Sequence, residues 1–510
     1  MFRALADSFS EKINQRIRWV GLGTIFLFLF LGFQYQGGIS LGDGAIKYQQ
    51  VDDLISQNFE TFSCVYPGLS FDPNFQYMPY TIEQGGAMAH AYQGKCFYIF
   101  PFYYSLLQAP LVLLFGKFGS FLTSLLFGIA CLFVLDSLCD SVRLTDKFRI
   151  VYLILLIFGT PFSLFATDLF EIVISISFIL LGLYFHLKDK SYLSQSLSGF
   201  SFGGASFFRQ ELILFYFALL LFSLIFEKKI RRSTFASFST FSCMVGLQFF
   251  LNWKIVGSIF GSRWYLQSAS SETYDLASHF LYLFEFLFYR NGSFGLVLSL
   301  PILCLLPFWI RKNRNSAHLE VLIASGIFIV VLSFFTSTNF YQGILFGPRF
   351  LQTISPILLL YSIASLQILW ETKGIFYKRM AVVLCIVSLT GTLTYDFLYL
   401  KFKKSVKKEI QVIEKFSEQN LIIVSQEVLI TGSSFFPRKN IFYISNLENW
   451  DTLLSGIHRL GWNRFTLVLP KDRPRTGKSI PSRSFVFRNK GLTSTDAYLL
   501  ENLEFSAKKP

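Results

Sequence analysis

Charge is scarce in this chain. Asp, Glu, Lys and Arg make up 15% of its 510 residues, well below the ~25% of ordinary soluble domains. Histidine is rare too: the five His residues are scattered, and no metal site built on them is expected. The seven cysteines include no C-x-x-C pair, which removes the usual zinc and dithiol spacings. No internal repeat and no low-complexity segment is present, which argues against repeat-built transporter folds. A first apolar run, 19–35, follows Arg3, Lys12, Arg16 and Arg18, but no small-x-small cleavage site comes after it. It is expected to be a retained membrane helix and not a removed signal. What the chain has in abundance is apolar surface, 52% hydrophobic with 62 Phe. A soluble core could not hide that much, whereas lipid can.

A net charge of +14 would suggest nucleic acid in a soluble protein. Here the basic residues fall in short clusters between apolar runs, as in cytoplasmic loops, and no nucleic-acid partner is expected. Spans of about 20 apolar residues are expected at 19–35, 120–138, 150–167, 169–187, 210–226, 234–256, 294–310, 319–338, 350–370 and 379–396. A Gly/Ser-rich half-length helix at 199–208 brings the count to about eleven. Cys131, Cys243, Cys304 and Cys385 lie within such runs, and Cys139 in a short loop.

The run 98–116 is interrupted by Pro101, Gln108 and Pro110. If it lies along the membrane surface, nineteen Lys and Arg residues up to 397 share one side and eight the other. If it crosses, the N-terminal four separate from the other fifteen. The positive-inside rule selects the first arrangement. It gives a cytoplasmic N-terminus, a large outer loop at 36–119, and a tail at 398–510 that is also outside. Lys401, Lys403, Lys404, Lys407 and Lys408, directly after the last span, argue the other way. The expected fold class is therefore mainly α: a polytopic helix bundle, 1–397, with a small C-terminal α/β domain, 398–510. In that tail, strands are expected at 420–425, 440–445 and 464–470, and a helix at 448–460 with Asn446 as a possible N-cap. Thr431-Gly432-Ser433-Ser434 is too generic to be a phosphate loop.

Charges in or beside spans are costly and so mark candidate sites. In this topology they gather at the outer face. Asp43 stands in Gly42-Asp43-Gly44-Ala45-Ile46-Lys47-Tyr48, and Asp168 and Glu171 in Thr167-Asp168-Leu169-Phe170-Glu171. Arg209 and Glu211 follow the Gly/Ser segment, and Arg349 ends Tyr341-Gln342-Gly343-Ile344-Leu345-Phe346-Gly347-Pro348-Arg349. Each has a plainer reading. Asp43 could be a solvated loop acid, Asp168 a helix cap, Arg209 and Glu211 an interfacial ion pair, and Arg349 a residue reaching for lipid headgroups. Cys64 and Cys96 share the outer loop, where a disulfide would persist.

The order of these motifs resembles the polytopic lipid-dependent glycosyltransferases of clan C, in particular the protein O-mannosyltransferase and lipid A aminoarabinose transferase branch. Gly42-Asp43-Gly44 resembles the acidic opening of the family's first loop, although the second acid common there is replaced by Gly44. The stretch from Tyr98 to Pro110 resembles the Pro-rich segment before the second span, and Ala166–Glu171 the acidic turn after the third. Gly203–Arg209 resembles a Gly-rich segment ending in a basic residue, and Tyr341–Pro356 a late motif. The resemblance covers about 15–397. It implies inverting transfer of a sugar from a polyprenyl-phosphate donor to an acceptor hydroxyl on a glycolipid, glycan or protein. It assigns Asp43 as general base, Arg349 and Arg209 to the donor phosphate, and Asp168 and Glu171 to orienting sugar or acceptor. No cofactor or obligatory metal is implied, since arginines can supply the positive charge. The implied location is the cytoplasmic (inner) membrane, with the site outside. The competing class, a transporter or flippase of a lipid-linked or anionic substrate, would be expected to show internal symmetry.

Overall fold

The computed structural model describes residues 2–37, 42–79, 81, 88–227, 232–263, 265, 276–290, 293–312, 317–335, 349–424, 439–444, 450–471, 482, 484–495 and 498–508. The protein is a mainly α polytopic membrane protein with a small mixed sheet near its C-terminus. It forms two compact units. One comprises 1–34, 121–251 and 270–399; the other 35–120, 252–269 and 400–510.

The first unit is helical: α1 (Phe2–Gly37), α4 (Lys117–Ser141), α5 (Asp146–Phe158), α6 (Phe162–Thr167), α7 (Ile172–Lys188), α8 (Tyr192–Phe208), α9 (Leu212–Glu227) and α10 (Arg232–Val256). After α11 (Leu276–Leu287) come α12 (Leu296–Ser299), α13 (Leu306–Lys312), α14 (Ala317–Phe335), α15 (Ser355–Thr372) and α16 (Ile375–Phe416). Among the described residues five helices are long and apolar enough to cross a membrane: Arg16–Tyr35, Lys117–Ser141, Arg232–Val256, Ala317–Phe334 and Ile375–Phe416.

Several expected spans are built differently. The run 150–167 is two helices, because Gly159-Thr160-Pro161 interrupts it and Pro161 caps α6. The run 294–310 breaks into α12, a 3₁₀ turn at Pro301–Leu305 and α13. The expected half-helix 199–208 is instead the end of the full 17-residue α8, started by Ser191, whose Oγ accepts from Ser194 N at 3.2 Å. The glycines of α8 serve packing. A Cβ at Gly199 would lie 2.0 Å from Ser237 O of α10, and one at Gly203 2.5 Å from Met244 Cβ. Ser198 Oγ donates to Gly182 O of α7 at 2.9 Å. Small residues let membrane helices approach this closely.

The second unit joins the loop 36–119 to the tail. Two 14-residue helices, α2 (Asp43–Ser56) and α3 (Phe102–Phe115), pack through Val51, Leu54, Ala109 and Val112. Each is about 21 Å long, too short for a hydrocarbon core of about 30 Å. The strands β1 (Ala89–Tyr92) and β2 (Lys95–Tyr98) form a hairpin with φ +50° at Gln93 and +70° at Gly94, the left-handed pair a tight hairpin turn requires.

In the tail β5 (Asn420–Ile423), β6 (Asn440–Tyr443), β7 (Arg464–Pro470), β8 (Phe485–Ser494) and β9 (Tyr498–Ala507) form one sheet, in the order β6-β5-β7-β9-β8. The first three are parallel and β9 and β8 join antiparallel. A helix, α17 (Trp450–Arg459), lies where one was expected, whereas β8 and β9 were not anticipated. Thr431–Ser434 and Asn446 lie outside the described residues. Phe442 of β6 packs on Tyr66 and Phe71 of the loop, with ring centroids at 6.2 and 5.9 Å, and Tyr443 N donates to Tyr77 O at 2.9 Å. Loop and tail thus share one hydrophobic core. The boundary expected at 397/398 falls inside α16, a continuous 42-residue helix.

Candidate functional site

In the helical unit the acidic turn between α6 and α7 is tied down on both sides. Asp168 caps α6. Its Oδ1 accepts from Leu169 N at 2.8 Å and its Oδ2 from the Tyr399 hydroxyl of α16 at 2.9 Å. The plainer reading, a cap on a helix starting at Leu169, is not what forms, since α7 starts at Ile172.

Glu171, at the mouth of α7 and fully buried, faces two guanidinium groups. Its Oε1 lies 3.7 Å from Arg209 Nη1 and 3.7 Å from Arg349 Nη2. These three residues come from the α6–α7 turn, the end of α8 and the approach to α15. Arg209 is 1% exposed. Its Nε is 3.2 Å from Glu211 Oε1, and its guanidinium lies 4.5 Å from the centre of the Phe350 ring. Arg349 stands 5.4 Å over Phe170. With its side chain only 11% exposed it faces Glu171, not lipid. Tyr341–Pro348, the rest of that motif, lie outside the described residues.

Four charges buried together are expensive. Each ion loses several kcal/mol of hydration, which mutual pairing must offset. Two arginines sharing one carboxylate oxygen form a compact positive surface, and the planar guanidinium fork suits carboxylate or phosphate oxygens.

Sequence reading missed Asp396. It is 3% exposed on α16, beside Ser163 of α6 and one turn from Tyr399. The available signal was a lone acid at the end of an apolar span.

In the other unit Asp43 occupies the first turn of α2. Gly42 before it has φ +48°, a conformation glycine adopts without strain. Asp43 is half-buried, not a fully solvated loop acid. Lys47, four residues on and on the same helical face, is fully buried, with Nζ 4.8 Å from the Phe100 ring centre and 5.9 Å from that of Tyr104. Asp53, at the far end of α2, accepts from Val65 N (2.9 Å), the Tyr98 hydroxyl (2.7 Å) and Gln49. Burial outweighs these donors and pushes its carboxyl up to about 7. His90 is stacked on Tyr265 at 4.2 Å, and burial pushes it down to about 4, so it is neutral at pH 7.

Beside Asp53, the Cys64 and Cys96 sulfurs lie 2.8 Å apart as thiols, with Cys64 N donating to Cys96 O at 2.7 Å. We predict that they pair in the oxidising compartment, stabilising this unit by about 3 kcal/mol. Denatured protein should then bind maleimide at these two positions only after reduction. Labelling without reductant would refute the bond.

No family model matches the chain, and no curated protein matches it in sequence. Among solved structures it is similar to ArnT from Cupriavidus metallidurans, both bound to undecaprenyl phosphate and in the apo state. In both cases the TM-score is 0.56, with 12% identity over 95% of this chain and 97% of that one. The archaeal oligosaccharyltransferase AglB from Archaeoglobus fulgidus, in complex with an inhibitory peptide and a dolichol-phosphate, aligns at TM-score 0.49. Identity there is 10%, over 88% of this chain and 69% of that one. The fold is that of the clan C glycosyltransferases.

Proposed function

We propose that this protein is a membrane glycosyltransferase that moves a sugar from a polyprenyl-phosphate donor to an acceptor hydroxyl at the outer face of the membrane. The observation that carries this reading is the buried Arg209–Glu171–Arg349 cluster, in which two guanidinium groups converge on one carboxylate oxygen. It is supported by the fold shared with ArnT, whose structure holds undecaprenyl phosphate.

In this reading Arg349 and Arg209 bind the donor phosphate. Glu171 holds the two arginines in place, and Asp168 and Glu171 orient the sugar or acceptor. Asp43 takes the proton of the acceptor hydroxyl as its oxygen attacks the anomeric carbon. The bond from that carbon to the phosphate oxygen breaks, polyprenyl phosphate leaves as an anion, and the configuration inverts. The arginines offset the charge that develops on the leaving phosphate. Membranes containing the protein should release polyprenyl phosphate from a polyprenyl-phosphate sugar in step with labelling of an acceptor. Failure with every such donor tried would overturn the reading.

We place the N-terminus in the cytoplasm, with the loop and the tail outside, on the basic asymmetry. The core that loop and tail share supports putting both on one side. The lysines at 401–408 belong to α16 as it runs on to Phe416, not to a short loop where the rule is strongest. A single cysteine at exposed Ser70 should react with an impermeant reagent on intact cells, and one at exposed Lys373 should not. The reverse pattern would invert the topology.

A further inference from the structure

The helix α6 is only six residues long, with Pro161 before it and Asp168 after it. A helix this short does not hold itself together, so its place is set by what packs on it. It meets α4 closely: a Cβ at Gly128 would lie 2.6 Å from Ala166 Cβ. It also meets α16, a helix that leaves Ile386, Leu393 and Phe397 exposed. The same helix carries a buried polar stripe at helical spacing, formed by Ser388, Thr392, Asp396 and Tyr399.

That stripe fastens α6 at both ends. At the C-terminal end the Tyr399 hydroxyl donates to Asp168 Oδ2 at 2.9 Å. At the N-terminal end Asp396, 3% exposed, lies beside Ser163. Asp396 Oδ1 and Ser163 Oγ are buried and have no other hydrogen-bond partner among the described residues, and no cation there pairs with Asp396. The turn that follows α6 carries Glu171, so these two fastenings bear on where Glu171 meets Arg209 and Arg349.

We propose that Asp396 is a positioning residue, a neutral carboxylic acid that together with Tyr399 locks α6 and so sets the Asp168–Glu171 turn for binding of the donor; the link to the donor rests on the transferase reading. A lone carboxylate buried without a cation costs far more than a hydrogen-bonded neutral group. The neutral acid offers one O–H donor and a carbonyl acceptor, which matches a serine hydroxyl that both gives and takes a hydrogen bond. Apolar contacts alone would let a six-residue helix slide or turn. A directional bond at each end stops both motions.

The test uses full-length protein in nanodiscs. At mildly alkaline pH, where ordinary carboxyls are ionised, the infrared spectrum should show a protonated-carboxyl band that Asp396→Asn removes. Asp396→Ala should lower kcat/KM for the donor at least about tenfold, the loss expected from one buried hydrogen bond. Asp396→Asn, which keeps a donor and an acceptor, should restore most of it. The KM for the acceptor should stay unchanged in both. A folding defect alone would lower the active fraction, and hence kcat, and leave both KM values as they are. Tyr399→Phe should also impair donor use. The double variant Asp396→Ala/Tyr399→Phe should lose less than the product of the two single losses, because both act through one helix. The same cycle is run on Tm.

An absent acid band overturns the proposal and needs only the Asn variant, so it decides even where Asp396→Ala does not fold. An Asn variant as impaired as the Ala variant, unchanged donor use in Asp396→Ala, or independent losses in the cycle would overturn it too, while transfer itself still stood. The acid band and a coupled cycle in Tm, in a protein that neither transfers sugar nor binds undecaprenyl phosphate, would keep the lock and remove the transferase reading.

Discussion

Asp43→Asn should cut sugar transfer at least about 10²-fold while expression and membrane insertion stay unchanged, the loss expected when general-base help is removed. The amide keeps the shape of the carboxylate and cannot take a proton. The placement of Asp43 suits the role. It opens α2, directly after a glycine at φ +48°, and is half-buried. A general base must stay available to the acceptor hydroxyl. Lys47, on the same face, lies beside the Phe100 and Tyr104 rings. Removal of Lys47 should be compared with that of Asp43. The measurement is initial rate at saturating donor and acceptor, with protein amount fixed by immunoblot. If the Asn variant transfers sugar normally, Asp43 is not the base, and Asp168 and Glu171 become the next carboxylates to replace.

Arg349→Lys should impair use of the donor by about tenfold or more in kcat/KM, although the charge is kept. Lysine lacks the planar fork and the stacking surface that arginine offers. Arg349 uses both: an Nη 3.7 Å from Glu171 Oε1 and a guanidinium 5.4 Å over Phe170. Lysine is the informative replacement because alanine would leave buried Glu171 with one fewer partner. Breaking a buried pair in that way costs about 3–5 kcal/mol, and a folding defect would then mimic a catalytic one. The effect should appear in the dependence on donor concentration and leave that on acceptor concentration unchanged. A fully active Lys variant would remove Arg349 from the phosphate site.

Much of the site was legible because membrane burial makes charge conspicuous. Asp168, Glu171, Arg209 and Arg349 stood out as charges beside apolar runs, and the structure gathers Glu171, Arg209 and Arg349 into one cluster. Their pairing was not legible. Which carboxylate meets which guanidinium depends on how the ends of α6, α8 and α15 converge. Arg209 and Glu211 are indeed an ion pair, at 3.2 Å, but a buried one that extends this cluster. Asp396 escaped notice because the end of its helix was read as the end of a span.

The sequence by itself determined the class of protein, since 52% hydrophobic residues and sparse, clustered charge leave lipid as the only sufficient solvent. It also set apart the run 98–116, which Pro101, Gln108 and Pro110 interrupt and which the charge balance makes expected to lie along the membrane surface. Only the tertiary structure decided the interruptions at Gly159–Pro161 and Pro301, the full length of α8, and the antiparallel β8 and β9. It alone decided that the first loop and the tail share a core. Residues as far apart in sequence as Tyr66 and Phe442 meet there. Such contacts leave no local periodicity to read. They arise because each segment carries an apolar face that it cannot bury alone, and burying such faces against each other is favourable whatever their separation along the chain.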